Sequence, residues 1–163
     1  MNKYLLLCLL SFIFSLRTIS QYGLNLIKEL EGLRLTSYID YDGVLKIGYA
    51  TTNDDYFVTN TKIKPGMNIT KETAEKWLID SLDRIYEPRV NKYDALYKWT
   101  QNEFDALISF AHNMGNIDKL TNNGKISKNY IANNMVGYIY SKGRQINELV
   151  KRRYIEYNLF KQK

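Results

Sequence analysis

The order in which sequence periodicities follow one another is what most constrains this chain. Apolar residues Leu24, Ile27 and Leu30, joined by Leu26, recur at helical spacing behind a capping Ser20 and stop at Gly32. Strand formers follow in Tyr38-Ile39-Asp40, then a turn signal in Tyr41-Asp42-Gly43, then a second strand-like run from Val44 to Tyr49. Residues 50–67 are polar and turn-rich, with Pro65-Gly66, and predict a loop with room for one short strand. Beyond Thr70 helical spacing takes over. Ala74, Trp77, Leu78 and Leu82 share a face that is expected to end before Pro88. Thr100-Gln101-Asn102-Glu103 is a capping box ahead of Phe104, Leu107, Ile108 and Ala111, with Gly115 as the stop. Asn122-Asn123-Gly124 marks a turn, Tyr130 to Tyr140 predicts a helix, and Ile146 to Phe160 predicts a last one. One helix, a small antiparallel sheet and then several helices make an α+β arrangement, not a βαβ alternation. A sheet set beside helices leaves a cleft, and clefts bind ligands.

With 163 residues, 45% of them hydrophobic, the chain can bury one sizeable core and is too short for two ordinary domains. Its single cysteine, Cys8, lies in an N-terminal apolar stretch, so the folded part carries no internal disulfide. The single histidine, His112, has no cysteine beside it, which argues against a Cys/His zinc site; no metal and no other cofactor is expected. Because it continues the helix face of Phe104 and Ile108, His112 reads as a packed core residue. The 23 basic residues outnumber the 17 acids by six, yet after residue 20 the signs are interspersed. No ordered basic–aromatic motif accompanies them, so nucleic acid is not an expected partner.

Met1-Asn2-Lys3 gives a short basic start, Tyr4 to Leu16 an apolar run, and Arg17-Thr18-Ile19-Ser20 a polar break, which is the layout of a secretory signal. The run is shorter than the roughly 20 residues a spanning helix needs. Thr18 and Ser20 at the −3 and −1 positions predict cleavage before Gln21. Residues 1–20 are therefore expected to be a signal peptide and 21–163 a single secreted domain, extracellular or periplasmic, that meets the membrane only in transit. An uncleaved anchor is the alternative. Loss of Lys3 and Arg17 would leave 21 basic residues against 17 acids, a net charge of +4. Asn68-Ile69-Thr70 forms a glycosylation sequon, which matters only in a eukaryotic host.

The candidate chemistry lies in Glu31 and Asp40, nine positions apart, with a helix stop at Gly32 between them that can turn both carboxyls towards one cleft. Paired carboxylates are the equipment of glycoside hydrolysis. A carboxyl at a helix C-terminus feels the negative end of the dipole, and burial adds to it, so Glu31 is expected to hold its proton and act as donor. Asp40, beside a polar turn, is expected to stay ionised, where it orients a water or stabilises positive charge developing on a sugar.

The string from Glu31 to Tyr49, read as Glu31-Gly32, Leu35, Tyr38, Asp40, Gly43 and Ile47-Gly48-Tyr49 at their spacings, resembles the active-site segment of the phage-type lysozymes, the endolysin and muramidase family of glycoside hydrolases. The resemblance continues at Thr100 to Phe110 with Asn113 and Gly115, and at Leu149 to Arg153 with Glu156, covering about residues 22–160. It implies a lysozyme-like α+β fold, with a small sheet lobe and a mainly helical lobe enclosing a cleft. It also implies hydrolysis of the β-1,4 bonds of bacterial peptidoglycan, by a monomer, with inversion and attack by water. Carried over by position, Glu31 is the general acid, Asp40 the second carboxylate, Asn113 a cleft residue, and Arg152 or Arg153 the guanidinium beside the acid. Two positions depart from the pattern. Lys46 stands where the family places a water-positioning Thr, and Ala50-Thr51 replaces Gly-His. Lys46 has three options: to approach Glu31 and lower its pKa, to pair with Asp40, or to turn outward and leave Thr51 or Thr52 to supply a hydroxyl. A lysozyme-like protein that grips cell-wall glycan without cutting it is the alternative function.

Overall fold

The computed structural model describes residues 16–162. Its first helix, α1 (Gln21–Glu31), is capped by Ser20, whose side chain accepts from the Gly23 amide, and ends where Gly32 takes φ 67°. The hairpin pairs β1 (Arg34–Ile39) antiparallel with β2 (Leu45–Gly48), in a register that sets Tyr38 opposite Lys46 and Ile39 opposite Leu45. Strand β1 starts earlier than its apolar signal, with an irregularity between Arg34 and Tyr38.

Where a loop with a short strand was expected, the chain forms a 3-10 turn, Asn53–Asp55, running into α2 (Tyr56–Thr59). Thr52 and Asp55 make a capping box there, a signal hidden in a stretch that composition alone marks as loop. Helix α3 (Lys71–Ser81), capped by Thr70, does not end before Pro88. It continues through a π-helical segment, Leu82–Tyr86, into α4 (Glu87–Asn91). Pro88 falls just after the π-helical segment, where the regular hydrogen-bond ladder is already interrupted.

The short α5 (Asp94–Tyr97) precedes α6 (Gln101–Met114), which begins at the Thr100–Glu103 capping box and stops at Gly115. Helix α7 (Lys128–Met135) is shorter than the expected 130–140 helix. Tyr140 instead opens a two-residue strand, β3 (Tyr140–Ser141), that turns at Lys142-Gly143 into β4 (Arg144–Gln145). Both turn residues have positive φ, 48° and 76°, the requirement of a tight hairpin turn, which overrides the helical spacing around it. Helix α8 (Asn147–Lys161) closes the described chain. No helix among the described residues is long and apolar enough to cross a membrane.

The helical lobe is organised around α6, in which every residue from Phe104 to Ala111 is buried, as a helix covered on all sides requires. Ile27, Leu78, Trp99, Ile131 and Leu159 pack around it, while Ile47, Ile63 and Trp77 form a smaller cluster under the hairpin. Helix α1 approaches α6 closely at Gly23, where a Cβ would stand 2.7 Å from Asp105 Cγ. Asp105, 1% exposed, accepts from the Ser20 amide at 3.0 Å, from the Ser20 hydroxyl and from Gln101 Nε2 at 2.8 Å.

The residues before α1 are tied down as well. The Ile19 amide donates to Glu87 at 2.9 Å, the Arg17 backbone exchanges two hydrogen bonds with Asn91, and Gln101 donates to the Thr18 carbonyl. The cleavage point expected from the sequence thus falls between a helix cap and its helix. The apolar run, Tyr4 to Leu16, lies outside the described residues except for Leu16.

Candidate active site

Two adjoining cavities, of about 410 and 460 Å³, lie between the hairpin and the helical lobe. Glu31, Asp40, Lys46 and Asn113 line both, so the cavities form one trough with these four side chains at its middle. The stop at Gly32 brings this about: α1 delivers Glu31 in its last turn, and the reversed chain returns Asp40 at the end of β1.

Glu31 faces the helical lobe. Its Oε1 accepts from Arg152 Nη1 at 2.7 Å and lies 3.0 Å from His112 Nδ1, while Oε2 has no protein partner among the described residues. Arg152 reaches it from α8 with a side chain only 6% exposed, and also donates to Glu156 at 3.0 Å and to the Ser109 carbonyl at 3.0 Å. Glu156 is wholly buried and also accepts from Ser109 Oγ at 2.7 Å and from Arg153. Arg153 in turn binds the Tyr138 carbonyl and Asn113 Oδ1. Two guanidinium groups and two carboxylates therefore neutralise one another in a closed network, the condition under which buried charges are tolerated. Burial pushes the Glu31 carboxyl up, but Arg152 and the His112 contact outweigh it and hold the group well below the ordinary carboxylate range. This reverses the expectation from the helix terminus, which took no account of a guanidinium arriving from more than a hundred residues away.

Asp40 faces the hairpin. Its Oδ1 accepts from the Asp42 and Val44 amides, both at 2.9 Å, and its Oδ2 pairs with Lys46 Nζ at 2.7 Å. Desolvation opposes ionisation, yet Lys46 and the two amides keep the carboxyl below its usual value. Of the three options for Lys46, the structure adopts the pairing with Asp40, with the lysine side chain 24% exposed.

Thr51 is not brought to the trough. Ala50 takes φ 63° and Thr51 pairs back onto Ile47 through both backbone groups, leaving its side chain buried. Thr52 lines the first cavity in its place, with a hydroxyl already engaged by the Asp54 amide and Asp55. Of the paired arginines, Arg152 meets Glu31; Arg153 instead supports Asn113.

His112 corrects the sequence reading. It lies on the helix face that spacing assigns, but at the C-terminal end of α6 that face looks onto the trough rather than the core. Its ring packs edge-on to Tyr86, with centroids 5.1 Å apart. Tyr86, pushed up to about 12 by burial, and Arg89 line the same cavity, and no sequence signal had marked either.

Residues 28–156 match the family model described as phage lysozyme. The chain is 37% identical over 144 residues to the endolysin of Lactococcus phage c2, an alignment covering 87% of this chain and 59% of that protein. The chain thus spans well under two thirds of the length of that relative. Among solved structures, the endolysin from Escherichia coli O157:H7 phage FAHEc1 is 31% identical with a TM-score of 0.69, covering 90% of this chain and 94% of that one. The muramidase domain of SpmX from Asticaccaulis excentricus is 30% identical with a TM-score of 0.66, covering 90% of this chain and the whole of that domain. Sequence and fold agree with the carboxylate-lined trough in one conclusion: the chain belongs to the phage lysozyme family.

Proposed function

We propose that the chain is a muramidase that hydrolyses the β-1,4 glycosidic bonds of bacterial peptidoglycan, with Glu31 as proton donor and Asp40 as the second carboxylate. The observation that carries this reading is the placement of both carboxylates at the middle of one open trough, with Glu31 Oε2 free of protein partners among the described residues. A glycan strand lying along the trough would present its bridging oxygen to Oε2. Because Arg152 favours the Glu31 anion, Oε2 must first take a proton from solvent. That proton then passes to the bridging oxygen, the C–O bond breaks, and a water on the opposite sugar face adds to the anomeric carbon and releases a proton to solvent. Asp40, held ionised, stabilises the positive charge on the sugar. Every group used comes from one chain, and the chemistry calls for neither metal nor cofactor. The N-terminal apolar run provides the route of export to the cell wall.

A second reading is favoured by one contact. Lys46 occupies Asp40 Oδ2 at 2.7 Å and places an ammonium where a hydroxyl would hold the attacking water. On that reading the protein binds peptidoglycan and does not cut it. Incubation with purified peptidoglycan, followed by mass spectrometry of the soluble fraction, separates the two. Muropeptides with new reducing ends support the muramidase, whereas co-sedimentation without soluble fragments supports the binder.

A further inference from the structure

His112 is the one histidine of the chain, and it stands against the proton donor rather than in the core. Its Nδ1 and Arg152 Nη1 converge on the same oxygen, Glu31 Oε1, from two different helices. A carboxylate oxygen only accepts, so Nδ1 carries the hydrogen. The ring is 8% exposed and held from behind by Tyr86, and its other nitrogen, Nε2, makes no protein hydrogen bond among the described residues. Two donors on Oε1 fix the plane of the carboxyl group and turn Oε2 towards the trough.

We propose that His112 is a positioning residue for Glu31: its Nδ1–H, together with Arg152, holds Oε1 so that Oε2 faces the trough and carries the transferable proton. This rests on the muramidase reading of Glu31. The two donors differ in reach: the guanidinium comes from α8 and is tied to Glu156 and Ser109, whereas the imidazole comes from α6 and is backed by the Tyr86 ring.

The other groups facing the pair come from four elements. They are Arg152 and, behind it, Glu156 on α8, Asp40 with Lys46 on the hairpin, Tyr86 on the π segment, and Arg89 on α4, whose guanidinium lies 5.6 Å from the Tyr86 ring centre. Asp55 faces Tyr86 from the 3-10 turn. Beside the pair Arg152 is cationic, Lys46 is kept cationic by Asp40 in spite of burial, and Tyr86, pushed up by burial, is neutral.

A single histidine gives a single imidazole signal in nitrogen–proton NMR spectra, readable without turnover. Glu31→Gln should move that signal, because an anion 3.0 Å from Nδ1 becomes a neutral amide. An unmoved signal overturns the proposal. Kinetics on soluble glycan fragments supply the second arm. His112→Leu should lower kcat about tenfold, the size of one lost hydrogen bond to a charged group, with KM nearly unchanged. It should also carry the alkaline limb of the pH profile to higher pH, because a group that favours the Glu31 anion is gone. His112→Asn, whose Nδ2 can replace the Nδ1 donor, should recover most of kcat. A cutting enzyme whose kcat and pH profile ignore His112→Leu sinks this proposal alone. A wild-type protein that never cuts peptidoglycan sinks the muramidase reading and takes this proposal with it.

Discussion

The two walls of the trough are built differently. The helical wall holds Glu31 through Arg152, and Arg152 through Glu156 and Ser109, all inside the core formed by α6 and α8. The hairpin wall holds Asp40 through two amides of its own turn and one lysine, on a sheet of only two strands. A group fixed by buried partners from distant segments has little room to change, whereas one fixed locally tolerates new neighbours. The departures from the family pattern, Lys46 and Ala50-Thr51, both lie on the hairpin side. The carboxylate on the helical side keeps its guanidinium.

If that contrast holds, the largest effect should come from the helical wall. Glu156→Ala strands two buried guanidinium groups and should cost about 3–5 kcal/mol in urea unfolding. A loss below about 1 kcal/mol would mean that the network is far looser than its geometry, and the contrast would collapse. Next, Glu31→Gln should lower peptidoglycan cleavage by about 10²–10⁴-fold with the fold retained, since an amide cannot deliver the proton. The same variant sharpens the electrostatic side. The folded-state pKa of Glu31 lies below its ordinary value of 4.5, so the carboxylate adds stability above that pH and loses it as pH falls through the folded value. Wild type should therefore lose stability in acid more steeply than Glu31→Gln, as followed by thermal melts between pH 6 and 3. Parallel curves would contradict the direction.

Smaller effects are expected on the hairpin wall. Lys46→Thr breaks an ion pair at a partly exposed site and should change stability by less than about 1 kcal/mol. By freeing Asp40 Oδ2 and restoring a hydroxyl, it should raise turnover near neutral pH by up to about tenfold. A fall in turnover would make Lys46 a working part of the site. The smallest change should follow Ser141→Ala, which removes one hydrogen bond, Ser141 Oγ to Asp42 Oδ1 at 2.6 Å, tying the β3–β4 turn to the hairpin across the trough. A stability loss of about 0.5–1.5 kcal/mol is expected, together with little change in the acid-side pH behaviour.

What could be read in the sequence follows the same division between local and distant causes. Ser20, Thr70 and Thr100 act on amides three residues away, and Gly32 and Gly115 stop helices by their own backbone angles; each rule is complete within a few residues. The Lys142-Gly143 turn was also local, but the apolar spacing on either side masked it. The pairing of Asp40 with Lys46 was among the options because both lie on one hairpin. The family resemblance put Arg152 or Arg153 beside Glu31, but which of them meets it, and that it outweighs burial and the helix terminus, was not legible, since Arg152 is 121 positions away and only the packing of α8 on α6 brings the two together. His112 was assigned the right helix face and the wrong neighbour, because periodicity says which way a side chain points and not where the core ends.

The seating of Arg17 to Ser20 on the helical lobe bears on the order of events in the life of the chain. A peptidase needs an extended strand on both sides of the bond it cuts, and although Ser20 is extended, Gln21 is already the first residue of α1 once the Ser20 amide and hydroxyl settle on Asp105. Once they have, cutting there requires prying the cap off its helix and leaving a buried carboxylate short of two donors. Any cut at that bond is therefore favoured before the cap docks, and the docked segment shields it thereafter.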